Sequence, residues 1–187
     1  MLWLALLWEI PENGVAVEDH EHQMDHSRMD IKETLRSTKL LQGIAESHLH
    51  KLEKLAVEQH YAEGTILFAE NALHRTFSLI VDGAVSLDIH VPRRGMVRVL
   101  TVGPGEILAW SAILGDGSMT TSATTTTPTR VIAWPADQLL ALCQNDHEIG
   151  FVFMHRIAQA LSRRLTATRL QLLDMFAETE PIARPGY

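Results

Sequence analysis

Apolar positions along this chain change period twice, and each change marks a new kind of element. From Ile31 the spacing is helical, through Leu35 and on to Leu40, Leu41 and Ile44. A further helix is expected through Leu49, Leu52, Leu55 and Ala56, with Ser47 as its cap. From Thr65 the period becomes two. A turn at Glu63-Gly64 leads into Thr65 to Phe68; Phe77, Leu79 and Val81 then alternate with Thr76, Ser78 and Ile80. Val85, Leu87 and Ile89 alternate with Ser86, Asp88 and His90, and Asp82-Gly83 between these two runs is a strong hairpin signal. Pro92 to Gly95 makes the next turn and Met96 to Val102 the next strand. Ser122 to Thr127 and Thr129 to Trp134 follow, rich in the Thr and Val that strands favour.

The period turns helical again after Trp134-Pro135. Pro135 suits a first helical turn, Ala136 to Cys143 form a short helix, and Asn145-Asp146 cap a long one from His147 to about Phe176. Glu148 lies near its positive end. Along it Met154, Ala158, Leu161, Leu165, Thr168, Leu172 and Met175 recur at alternating steps of four and three, a heptad seam. Phe151, Ile157 and Leu173 broaden the stripe, so one face is expected on the chain's own strands and another on a twofold partner. The fold class is mainly β with flanking helices: a rolled, jelly-roll-like barrel, with N-terminal helices before it and a long C-terminal helix after it. The expected division is an arm over 1–30, a roll with its helical prelude over 31–146, the long helix over 147–176 and a tail over 177–187.

Between the strand ending at Val102 and the polar run Gly115 to Thr127 lies Gly103-Pro-Gly-Glu-Ile-Leu-Ala-Trp-Ser-Ala-Ile-Leu114. Glycines let the backbone take unusual angles and let other groups approach closely. A short helix opened by Glu106 would present unpaired N–H groups and a partial positive charge, a recipe for holding a phosphate. Glu106 could accept from a sugar hydroxyl; as a first-turn acid it would also simply stabilise the helix. Trp110 reads as core sooner than as a stacking platform, and Thr124 to Thr127 as plain strand.

Gly105-Glu106, the short apolar segment and Ser122-Ala123-Thr124 resemble the phosphate-binding cassette of the cyclic-nucleotide-binding domain family. In that family a Gly-Glu pair precedes a short helix and an Arg-x-Ala-x segment; the Glu binds the ribose hydroxyl and the Arg the cyclic phosphate. The order Gly64 to Phe68, Phe77 to Val85 and Gly103 to Glu106 is similar too, and the resemblance spans roughly residues 40 to 176. It implies a non-enzymatic sensory and regulatory domain lined by Gly105, Glu106, Ile107, Leu108, Trp110, Ser111, Thr121, Ser122 and Ala123. The ligand would be cAMP, cGMP or another small anion. It also implies a long helix that pairs two subunits and lids the nucleotide. Two departures stand out. Thr121 occupies the place of the Arg, and no Arg or Lys occurs between Arg98 and Arg130. The segment from Glu106 to Thr121 is also longer than in the cAMP binders, and its Trp110-Ser111 resembles a divergent bacterial group. Losing a guanidinium–phosphate pair is costly, so cAMP is expected to bind far more weakly or not at all.

Composition narrows this modestly. With 46% hydrophobic and 21% charged residues the chain is an ordinary soluble type. Glu9 to Glu33 hold eight acids and two bases, nearly all of the net charge of −7. No strongly basic face speaks for nucleic acid, and the few residues after Phe176 leave no room for a helix-turn-helix module, so direct DNA binding is not expected. The single Cys143 forms no internal disulfide and suits a reducing cytoplasm. Apolar Met1 to Trp8 is far short of the roughly twenty residues of a span. It lacks the marks of a secretory signal and reads as a docking helix or an upstream start-site extension. His20, His22 and His26 with Asp19 and Asp25 have metal-like spacing, against the plainer reading of an acidic solvated arm. His48 and His50 read as surface residues. Because these His-x-His pairs precede the strands, and the strands offer only His74 and His90, a cupin-type metal enzyme is a distant alternative. A subunit that binds an effector protein through the seam, its pocket vestigial, is a closer one. Arg156, Arg163, Arg164 and Arg169 read as solvated faces, unless one of them reaches the pocket from above to replace the missing Arg.

Overall fold

The computed structural model describes residues 31–177, with the side chains of the last helix described as far as Leu170 and at Leu173. Helical backbone over 31–37 (α1) and a turn are followed by α2 (Glu46–Leu55), β1 (Val57–Tyr61), β2 (Ile66–Phe68), β3 (Thr76–Asp82), β4 (Val85–Val91), β5 (Gly95–Val102) and β6 (Ile107–Leu108). Then come α3 (Ser111–Leu114), β7 (Ser122–Thr125), β8 (Thr129–Pro135), α4 (Ala136–Asn145) and α5 (His147–Ala177). The strands form two four-stranded sheets, β1-β8-β3-β6 and β2-β7-β4-β5, antiparallel at every pairing. This is the expected jelly roll, with one correction: the sheets do not close into a barrel. Edge strands β6 and β2, of two and three residues, are too short to carry a ladder around the corner.

The Asp82-Gly83 signal does not make a hairpin. β3 pairs with β6 and β8, whereas β4 pairs with β5 and β7, so the chain changes sheets at this turn. Gly83 has φ +88°, and a Cβ there would lie 2.4 Å from the Pro128 carbonyl oxygen. The glycine serves a close crossing of two corners, the second being the step from β7 to β8. Threonines stitch that crossing. Ala84 N–H donates to Thr127 Oγ1 at 3.0 Å, and the Thr129 hydroxyl to the Thr127 carbonyl at 2.8 Å. The Thr125 hydroxyl donates to the Ala62 carbonyl at 2.7 Å, so the threonine run is more than plain strand. The true hairpin is β4–β5, turning at Pro92 to Arg94.

Helices cover the first sheet, which is why β3 reads as a nearly continuous buried run instead of alternating. Phe77 sits 6.0 Å from Trp134 and 5.8 Å, edge-on, from Phe153 of α5, while the Trp134 indole N–H donates to the Leu52 carbonyl at 2.9 Å. That cluster ties β3, β8, α2 and α5 into one core. Asp146 caps α5 as expected, its Oδ1 accepting from Ile149 N–H at 3.2 Å. Gly150 lets α4 approach α5, since a Cβ there would meet the Cys143 carbonyl oxygen at 2.5 Å. Cys143 is buried, and burial raises its thiol pKa. Other expectations fail. Ser47 lies inside α2, whose N-cap is Ala45 with no side-chain cap bond. His48 is buried, 3.8 Å from Glu148, because α2 turns that face toward the start of α5. β1 was not anticipated at all. The metal-like histidines His20, His22 and His26, the Met1 to Trp8 segment, and the side chains of Leu172 and Met175 lie outside the described residues.

Candidate functional site

The segment singled out by its glycines is a turn, a two-residue strand and a four-residue helix, in that order. Gly105 has φ +82° and donates to the Ile80 carbonyl at 2.8 Å. Glu106 N–H returns to the Gly103 carbonyl at 3.1 Å, and Glu106 Oε2 accepts from Gly103 N–H at 2.8 Å. The carboxylate thus locks its own turn and does not open a helix. Ile107 and Leu108 continue as strand, pairing with Leu79 and Ser78. The helix starts later, at Ser111, and what stands immediately before it is Ala109-Trp110. Ala109 has φ +56°, a left-handed conformation in which glycine is at ease and alanine is not.

The expected site residues therefore divide between two spaces. Leu108, Trp110, Ser111 and Thr121 line an inner cavity of about 20 Å³, completed by Phe68, Leu87, Met119, Thr120 and Arg164. Gly105, Glu106 and Ile107 instead line an outer cleft of about 560 Å³, whose opposite walls are α1 with its following turn and the middle of α5. Ser122 and Ala123 line neither. Ser122 Oγ accepts from Glu70 N–H at 2.9 Å, and Ala123 is fully buried in β7.

One side chain borders both spaces. An Arg164 Nη donates to the Ile107 carbonyl oxygen at 2.8 Å and lies 3.8 Å from Glu106 Oε1. Its side chain is only 15% exposed. Burial lowers its pKa, and the charge of Glu106 opposes that change. Arg164 is thus not a solvated face. Arg156 also turns inward in part, donating to the Gln42 carbonyl at 2.8 Å. The sequence does hold a signal for Arg164: it stands seven residues after fully buried Ile157, a cation where the inward stripe of α5 calls for an apolar residue.

Among known proteins, residues 58–146 match the family model described as the cyclic nucleotide-binding domain. The cyclic AMP receptor protein of Thermus thermophilus is 25% identical over 154 residues, covering 82% of this chain and 68% of that protein. Over residues 58–146 the roll is similar to the cyclic nucleotide-binding domain family. Its fold matches that of a cyclic nucleotide-binding domain from Methylobacillus flagellatus, at 22% identity and a TM-score of 0.69 over 86% of this chain and 88% of that one. The regulatory domain of Toxoplasma gondii PKA, solved with cAMP, matches at 12% identity and 0.62 over 78% of this chain and 52% of that one. Immediately before the short helix stand Ala109-Trp110, not Gly105-Glu106, and Thr121 lies in the lining of the inner cavity. Among the described residues no three of His, Cys, Asp or Glu come together as a metal cluster, and no helix is long and apolar enough to cross a membrane.

Proposed function

We propose that this member of a regulatory family is a non-enzymatic sensory domain whose cyclic nucleotide recognition is weakened or lost. The observation that carries this is the inner cavity. At about 20 Å³ it has room for roughly one water, whereas ligand pockets run to about 300 Å³ and more. Trp110 takes the place of the acid that would hold a ribose hydroxyl, and Thr121 that of the guanidinium that would hold the phosphate. The cation that does reach the cavity, Arg164, arrives from α5 and is committed to a carbonyl oxygen.

Calorimetric titration with cAMP and with cGMP tests this. The expected outcome is no saturable heat below about millimolar, a loss of several kcal/mol against a micromolar binder. Micromolar binding by the unaltered chain would sink the reading, since Arg164 would then suffice as the phosphate's partner. The double variant Trp110→Glu, Thr121→Arg both enlarges the cavity and restores the two polar anchors, and is expected to gain cAMP affinity.

A second reading concerns the output. Leu165, Leu170 and Leu173 on the far half of α5 are exposed, as is Phe151 near its start. Such a row on a long helix favours a helical partner, either a second copy of the chain or an effector protein. Sedimentation equilibrium distinguishes them: a homodimer weakened by Leu165→Asp supports self-pairing, and a monomer at all concentrations favours an effector.

A further inference from the structure

The outer cleft has a chemistry of its own. Two bonds hold its walls in place: Arg156 to the Gln42 carbonyl ties α5 to the turn after α1, and Arg164 to the Ile107 carbonyl ties α5 to β6. Between these ties the cleft encloses about 560 Å³. Three cations line it (Lys39, Arg163 and Arg164) against a single acid, Glu106. Among the described residues neither Lys39 nor Arg163 has an ion-pair partner. A concave wall carrying this excess of one sign concentrates the opposite charge. Ser37, Thr38 and Glu106 offer acceptors. The Ser37 and Thr38 hydroxyls already donate, to the Thr34 and Leu35 carbonyls at 2.9 and 2.8 Å, and their oxygens keep lone pairs. Glu106 spends one oxygen on Gly103 and keeps Oε1 available toward Arg164.

We propose that this cleft is an anion site outside the inner cavity, which binds a small hydroxyl-bearing phosphate ester such as a sugar phosphate. Guanidinium forks and an ammonium suit the phosphate oxygens, while the serine, threonine and carboxylate acceptors suit the hydroxyls. The volume admits a molecule of that size and excludes nothing smaller. Because Arg164 borders both spaces, an anion in the cleft would compete for it with the Ile107 carbonyl and so address the hold of the roll on α5.

Titration of the full chain with ribose 5-phosphate, inorganic phosphate and ribose at low salt tests the site. Ribose 5-phosphate is expected to bind saturably, inorganic phosphate more weakly and ribose not measurably, with sodium chloride at matched ionic strength giving no saturable signal. The surface double variant Lys39→Ala, Arg163→Ala, with its melting temperature checked, is expected to weaken ribose 5-phosphate at least about tenfold. Absence of saturable binding up to about ten millimolar, or unchanged binding by the double variant, overturns the proposal. So does binding that appears only when Glu18, Asp19, Glu21 and Asp25 are replaced by their amides; that result would assign the cleft to the chain's own acidic arm. The Lys39→Ala, Arg163→Ala variant also separates the two spaces: cAMP binding that survives it belongs to the inner cavity, and cAMP binding that it removes belongs to the cleft.

Discussion

In its first three turns α5 directs Ile149, Phe153 and Ile157 fully inward, against α4 and the Phe77–Trp134 cluster. Past Leu161 the same helix shows Leu165, Leu170 and Leu173 to solvent, at 53%, 58% and 64% exposure. The change comes where the inward stripe reaches Arg164. The near half is therefore part of the folding core, held by apolar burial that no small ligand can redirect. The far half rests on a polar contact, and a polar contact can be exchanged for another. A helix built this way can carry a signal outward while its base stays fixed.

The largest expected effect lies at the base. Phe153→Ala empties a fully buried aromatic site and should cost about 3–5 kcal/mol in urea unfolding. Leu170→Ala, on the exposed half, should change stability by no more than about 0.5 kcal/mol in a dilute monomer. A comparable loss at Leu170 would break the contrast, because it would mean that the far half is buried in an assembly.

Arg164→Met comes next. The substitution keeps an apolar stem and leaves the Ile107 carbonyl without its donor, at an expected cost of about 1–3 kcal/mol. Hydrogen exchange supplies the sharper readout. Amides of α5 after residue 160 should exchange faster, and those of residues 149–157 should keep their protection. Uniform loss of protection would show the two halves to be one cooperative unit.

The sequence made much of this fold readable, and its failures have physical causes. Most strand positions, though not β1 or β6, the long helix and the Asp146 cap follow from period and capping chemistry. Which strands pair does not: an Asp-Gly turn reads the same whether it closes a hairpin or crosses between sheets, and only the proximity of Pro128 to Gly83 decides. The short helix starts later than Gly105-Glu106 suggests: Gly105 takes its positive φ in a turn, and Ala109 supplies a second positive φ without being a glycine. Ile107-Leu108 is apolar enough for either helix or strand, so the start of α3 was invisible. The burial of Arg164 depends on a helix meeting a short strand 57 residues distant in sequence, which no local pattern encodes.

Ala109 offers a smaller test on the cassette side of that contact. Ala109→Gly relieves the left-handed backbone and should raise stability by about 1 kcal/mol or less, the gain partly offset by the freer unfolded chain. Ala109→Val should lower it, because a β-branched side chain tolerates this conformation worst. If glycine instead destabilises, the alanine methyl, buried in the core beside the inner cavity, matters more than the strain.

Acid gives the smallest effect and inverts the comparison. Asp146, at the base of α5, is hydrogen-bonded by Lys51 and then by Ile149 N–H, and these hold its carboxyl below the ordinary range. A depressed folded pKa means that the unfolded chain binds the proton more tightly. The contribution is therefore whole above the unfolded value of about 3.9 and is lost as pH falls through the folded one. Asp146 is only partly buried and its partner Lys51 is exposed, so salt should mute the effect. The Arg164 hydrogen bond goes to a carbonyl oxygen, which has no proton to gain, although the Glu106 carboxylate stands 3.8 Å away. Below about pH 4 exchange should thus rise more in the first turn of α5 than around Arg164. Asp146→Asn should remove the acid-dependent part of this loosening at the base. If it does not, the acid sensitivity belongs to the Lys32–Glu46–Arg36 cluster joining α1 to α2, whose Glu46 is likewise depressed, first by Lys32 and then by Arg36.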